Sequence, residues 1–246
     1  MLYFKDFQDV FYNFGNEATP TLTQDISRYV DVVDQIKDDI AFLTFYTIPE
    51  GMRPDQVSMQ LYDTPLYYWT FYLLNDDIRQ QGWPVNNTEF QTYIKKIFPN
   101  TTITTRENIS TKLKVGQTIT GNTSGATGTI IRRNLALGQI IVEGTVNFSS
   151  GGETITSLNP DGNYEFASVI STSTEYQSAS YYTDTTGVVD LGVDSSGNLL
   201  AAGATKNEIT HEQAYYDVNE SLRQIKVIRP SLITSLVGSY KKALRT

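Results

Sequence analysis

Apolar residues recur at helical spacing towards both ends of this chain of 246 residues and at strand-like spacing between them. Val57, Leu61 and Tyr62 fall at i, i+4 and i+5, and Pro54 stands where a first helical residue belongs, since its missing N–H would lack a partner there anyway. Asp55 follows, at the positive end of that helix's dipole. Pro65 restarts the pattern, and residues 66–74 are apolar almost all round, as in a buried helix. Phe90, Tyr93, Ile94 and Ile97 predict a further helix, opened by Thr88 and Gln91 at capping-box spacing and closed by Pro99-Asn100. Residues 26–45 fit helix or strand, because Val32, Val33 and Ile36 keep helical spacing but are β-branched.

Around Lys112 the texture turns to β. Short runs at 118–120, 129–132 and 139–143 are bounded by glycine and read as strands. Val115-Gly-Gln-Thr-Ile-Thr returns 36 residues later as Gly151-Gly-Glu-Thr-Ile-Thr, and the two related segments predict a small β-barrel-like insert. Tyr- and Thr-rich strand candidates follow Asp161-Gly162, and Asp194-Ser-Ser-Gly197 reads as a hairpin turn. Residues 209–218 and 222–228 predict a C-terminal hairpin turning at 219–221. Pro230 then opens an amphipathic helix with Ile233, Leu236, Val237, Tyr240 and Leu244 on one face and Lys241, Lys242 and Arg245 at its negative end. The expected fold is α+β, in three parts. A helical aromatic-rich domain covers residues 1–110, the β-module 111–158, and a β-rich region with the hairpin and terminal helix 159–246, docking back on the first domain.

Composition narrows the chemistry. With no cysteine there is no disulfide framework, thiolate metal site or cysteine nucleophile, and the chain fits a reducing compartment. With His211 as its one histidine, the chain cannot supply a two-histidine metal centre. The net charge of −8 disfavours nucleic acid, whose phosphates need a positive footprint. That charge is uneven: residues 1–98 carry 7 basic and 14 acidic groups, and no acid follows Glu220. The longest apolar uncharged stretch, residues 64–75, has 12 residues. A membrane span needs about 20, so none is expected. The opening MLYFKDF lacks the basic-then-apolar pattern of a signal peptide, and the Asn-x-Ser/Thr triplets are expected by chance in a Thr- and Asn-rich chain.

The Gly-rich stretch 121–128 (GNTSGATG) lacks the Gly-Lys-Ser/Thr ending of a phosphate loop and reads as a turn between strands. The acidic clusters Asp38-Asp39, Asp76-Asp77 and Asp184, Asp190, Asp194 lack the ligand alternation of a calcium loop. His211 falls beside Glu212 in what reads as a polar strand. No catalytic, metal or cofactor constellation emerges, and no enzyme activity is expected. The aromatic block remains: Tyr62, Tyr67, Tyr68, Trp69, Phe71 and Tyr72, followed by Trp83. It reads as core, as a protein–protein interface, where Tyr and Trp are enriched, or as a sugar-stacking platform.

One long pattern is distinctive. It begins at Tyr46-Thr-Ile-Pro-Glu-Gly51-Met-Arg53-Pro54-Asp55-Gln-Val57-Ser58 and continues through Leu61-Tyr62, Tyr68-Trp69, Leu74-Asn75 and Trp83-Pro84. Together with Phe7, Phe11, Tyr12, Phe14, Asp25-Ile26-x-Arg28 and the tail Tyr216-Asp-Val-Asn219-Glu220-Ser-Leu-Arg223-Gln-Ile225, it resembles the small baseplate wedge subunit of contractile-tailed bacteriophages, which joins neighbouring wedges. The similarity covers residues 3–98 and 208–240. Residues 111–158 differ from the LysM-like module of one version of that family and look like a small β-module found in phage tail proteins. The resemblance implies a structural role in the virion after assembly in the host cytoplasm. It implies six copies, contacting other wedge subunits and tail-base proteins, with no cofactor, nucleic acid or membrane. Interface or motif candidates are Tyr46, Gly51, Arg53, Pro54, Tyr62, Tyr68, Trp69, Trp83, Asn219 and Arg223. Arg53 can bind a carboxylate bidentately, and a partner within the chain is expected. The competing expectation is a glycan-binding tail or surface module.

Overall fold

A computed structural model of the chain describes residues 8–15, 19–25 and 41–245. The expectation for residues 26–45 thus lies mostly outside the described residues, as do Phe7, Ile26 and Arg28. The chain forms two compact units, one made of Met1–Asn87 with Asn219–Thr246 and the other of Thr88–Val218. This division differs from the one drawn at residues 110 and 158.

In the first unit, β1 (Asp9–Tyr12) and β2 (Thr21–Gln24) form a two-stranded antiparallel sheet, Asp9 opposite Gln24 and Tyr12 opposite Thr21. After β3 (Leu43–Thr47) comes α1 (Pro54–Tyr62), with Pro54 at its start. It ends at Asp63, whose left-handed φ of 55° lets its N–H bond to Met59 O. Ser58, fully buried in α1, donates to Thr64 O at 2.7 Å and accepts from Tyr67 N at 3.2 Å. Its hydroxyl thereby fixes the 3₁₀ turn Pro65–Tyr67, which leads into α2 (Trp69–Leu74) and α3 (Asp76–Gln81).

The second unit is entered along α4 (Asn87–Ile97). Then come β4 (Thr101–Thr104), β5 (Thr118–Gly121), β6 (Thr127–Asn134), β7 (Gln139–Val142), β8 (Thr154–Leu158), β9 (Tyr164–Ser168) and β10 (Ser171–Thr174). Among the described residues these make one antiparallel sheet in the order β10-β4-β7-β6-β5-β8-β9. Ile103, Ile119, Ile130, Ile140 and Ile155 form its core. The expected barrel does not close. No ladder joins β9 to β10; these end strands are consecutive in the chain, so Val169 and Ile170 link the two ends covalently. The sheet also takes β4, β9 and β10 from outside residues 111–158, so the insert is not a separate small barrel. The sequence echo has a structural counterpart: Thr120 pairs with its own counterpart Thr156, and Ile119 and Ile155 are both fully buried. β5 and β8 are thus related by a local two-fold.

A second sheet orders β11 (Ala179–Asp184) between β12 (Gly187–Val189) and β13 (Asn207–Thr210). The expected turn at Asp194 forms, with Gly197 N bonded to Asp194 O at 3.0 Å. The expected C-terminal hairpin does not. Residues 211–221 are helix α5 (His211–Ser221), and β14 (Gln224–Ile228) instead pairs antiparallel with β3, Ile225 opposite Tyr46. The strand stops because the Thr210 hydroxyl accepts from Gln213 N at 3.1 Å, as at a helix N-terminus. His211 therefore lies in the first turn of a helix, stacked on Phe98 at 4.4 Å, rather than in a strand. Gln91 likewise bonds Glu212, at 2.5 Å. The chain ends in α6 (Ile233–Arg245), whose Ile233, Val237 and Tyr240 pack with Trp69, Leu74, Leu43 and Ile228.

Candidate functional site

The ten candidate residues all belong to the first unit, and its β3–β14 pair organises them. Tyr46 on β3 faces Ile225 and donates its hydroxyl to Gln60 Oε1 at 3.2 Å; partial burial raises its pKa. The chain then turns at Gly51, whose φ of +71° a side chain would strain. Arg53 precedes α1 in extended conformation, its N–H bonded to Gln56 Oε1 at 3.0 Å. Its guanidinium grips Asp55 with Nε at 3.1 Å and Nη2 at 2.6 Å. Hydrogen bonding to Arg53 lowers the Asp55 pKa, in an exposed pair where water screens the attraction.

Trp83 closes this turn from the other side. Its Nε1 donates to Met52 O at 2.7 Å, and its ring lies 6.0 Å from those of Phe71 and Tyr72. Tyr62, mostly buried, stacks on Phe71 at 6.1 Å and donates to Ile228 O at 3.0 Å. Burial holds its phenol well above the usual tyrosine range. Trp69 is buried against Tyr240 at 5.4 Å, whereas Tyr68 is exposed. From the C-terminal part, Arg223 donates to Ile48 O at 3.0 Å and to both Glu220 oxygens. Asn219 is buried and meets both polar groups of one residue: its Oδ1 accepts from Val85 N at 2.9 Å, and its Nδ2 donates to Val85 O at 3.1 Å.

The motif therefore forms one connected network. Residues 46–83 supply the aromatic packing, and residues 219–240 supply the side chains and strand that tie it together. Most of the aromatic block is core; Tyr68 and, on β3, Phe45 at 68% exposure face outward. No local sequence pattern marks the exposure of Phe45 or the edge-closing role of Asn75. Asn75 donates to Lys226 O at 2.8 Å and accepts from Lys226 N at 2.7 Å.

In the second unit the Gly-rich stretch is a turn held by Glu153. This buried carboxylate accepts from Thr123 N, Ser124 N and the Ser124 hydroxyl through one oxygen and from Ser149 N through the other. A Cβ on Gly121 would run into Glu153 Oε1 and the Ser124 hydroxyl, so a side chain there would have to displace the carboxylate from its bonds. A cavity of about 550 Å³ lies elsewhere in this unit, lined by Arg106, Ser171, Ser173, Tyr182, Lys206 and Glu208 among others. Among the described residues no group of three or more His, Cys, Asp or Glu side chains could hold a metal ion. No described helix is long and apolar enough to cross a membrane. Neither a protein-family model nor a curated protein sequence matches the chain.

Proposed function

We propose that this chain is a structural subunit of a contractile phage tail baseplate, connecting wedge subunits into a ring of six copies. The supporting observation is the connected network around β3 and β14, in which residues from both family-like ends of the sequence depend on one another. A chain whose distinctive residues serve packing and positioning suits an assembly part. The reading includes other wedge subunits and tail-base proteins as partners, and the virion as its location. Mass spectrometry of purified virions tests it: the chain should be present in a multiple of six, and its absence would overturn the proposal.

The second reading, a glycan-binding module, rests on the polar cavity of the second unit. Trp69 is no sugar platform in this reading, since it is buried. Saturable binding of host surface polysaccharide, weakened by Tyr182→Ala without loss of folding, would favour it; no binding would remove it.

A further inference from the structure

The two edges of the β3–β14 pair are finished differently. On β14, Asn75 takes both polar groups of Lys226, and the Tyr62 hydroxyl takes Ile228 O. Since Lys226 turns its N–H and C=O away from β3, the Lys226↔Phe45 position is one where neither residue bonds the other across the ladder. Phe45 therefore directs its own N–H and C=O outward, as does Thr47 two residues on. Only Leu43 O on that edge has a partner among the described residues, Arg229 Nε at 3.2 Å. Such an edge is a template for another strand.

The same chain carries a candidate strand donor. β1 and β2 pair only with each other among the described residues, and a two-stranded sheet alone is marginal in water. Phe11, Tyr12, Phe14 and Leu22 around it are 54–74% exposed. The charges match. Residues 8–25 contain Asp9, Glu17 and Asp25 and no Lys or Arg, whereas residues 41–47 are uncharged and residues 224–246 carry five cations and no acid. We propose that the β1–β2 hairpin of one copy adds to the outer edge of β3 in a second copy, extending the β3–β14 sheet across two chains. Donor and acceptor are different surfaces, so the contact is head-to-tail and generates a ring or an open chain. It requires only copies of this chain and holds whether or not the chain belongs to a baseplate.

The lack of cysteine makes the test direct. Thr21→Cys in one tagged full-length chain and Thr47→Cys in another are mixed and treated with a short bismaleimide. A heterotypic product exceeding both homotypic ones is expected. Phe45→Pro, added to the Thr47→Cys chain, should abolish it. The Phe45 N–H takes no part in the ladder, so the fold should survive, as circular dichroism would check. If that variant unfolds, Phe45→Asp serves the same purpose by setting a like charge against the acidic donor. Heterotypic product lost in either folded variant supports the proposal. Absence of product, product that survives in the folded variant, or linkage only within a double-cysteine Thr21→Cys/Thr47→Cys chain would overturn it.

Discussion

The asparagine amide sets an NH2 donor and a carbonyl acceptor at about the spacing of a backbone N–H and C=O, and this unit uses that match twice. Asn219 serves Val85 and Asn75 serves Lys226, the first buried and the second nearer water. Asn219→Ala should cost about 1–3 kcal/mol, because polar groups lose their partner away from water, and Asn75→Ala less. Urea midpoints check the order; equal shifts would mean that burial does not set the cost. Tyr62 adds a pH dependence. Its pKa is raised from 10.0 by burial, so the native chain keeps a proton that the unfolded chain releases. That contribution is complete below about pH 10 and is lost as pH rises towards the folded-state value. Tyr62→Phe should cost about 1 kcal/mol at neutral pH through the lost bond to Ile228. It should also lose less stability than the parent above pH 10, which unfolding titrations would show. At this scale the sequence was partly legible: Arg53 pairs with Asp55 two residues away, but no local pattern tells that Asn219 reaches Val85, 134 positions apart.

Helix starts were readable where proline marks them, at Pro54, and the spacing of Ile233, Val237 and Tyr240 gave the last helix. Helix α5 reads as a strand in the sequence because Tyr215, Tyr216 and Val218 all favour β-structure. Thr210 and Gln213 nevertheless stand at capping-box spacing, and the Thr210 hydroxyl does accept from Gln213 N. The barrel expectation failed for a different reason: strand pairing is non-local, and nothing in residues 111–158 reveals that β4 and β10 extend the sheet. Two elements can be tested. Ile233, Val237 and Tyr240 of α6 are buried, each worth about 1.5–3 kcal/mol as an upper bound. Deleting residues 230–246 should therefore lower the melting temperature of the isolated chain substantially, and an unchanged value would mean that α6 contributes no packing. For Glu153, burial raises the pKa, but the bonds from Ser124, Ser149 and Thr123 outweigh it and lower the net value. Its contribution is present above the unfolded carboxylate range and is lost as pH falls through the folded value. Glu153→Gln should lower stability at pH 7 and flatten the loss between about pH 5 and 3, where glutamate titrates.

At the level of the whole chain, the second unit is one continuous stretch, Thr88–Val218, inserted in a first unit made of two pieces. The pieces are joined on both sides of the insertion. Val85 lies just before the chain leaves the first unit and Asn219 just where it returns, and their two hydrogen bonds hold those points together. Further in, β14 completes the sheet begun by β3, and Trp69 packs on Tyr240. An insertion whose ends are held together by the host is the kind that can be removed without opening the host. Replacing residues 88–218 by a short Gly/Ser linker should thus leave the first unit folded, and the stretch 88–218 expressed alone should unfold cooperatively on its own. Introducing Asn219→Ala into the linked version should destabilise it more than the same change does in the full chain if α4 and α5 share the task of holding the ends. Those helices are joined through Phe90–Tyr216 at 5.8 Å and Phe98–His211 at 4.4 Å. Denaturant titrations of the three forms decide it: equal costs for Asn219→Ala would show that the clip alone closes the first unit, with no contribution from the helices beyond it.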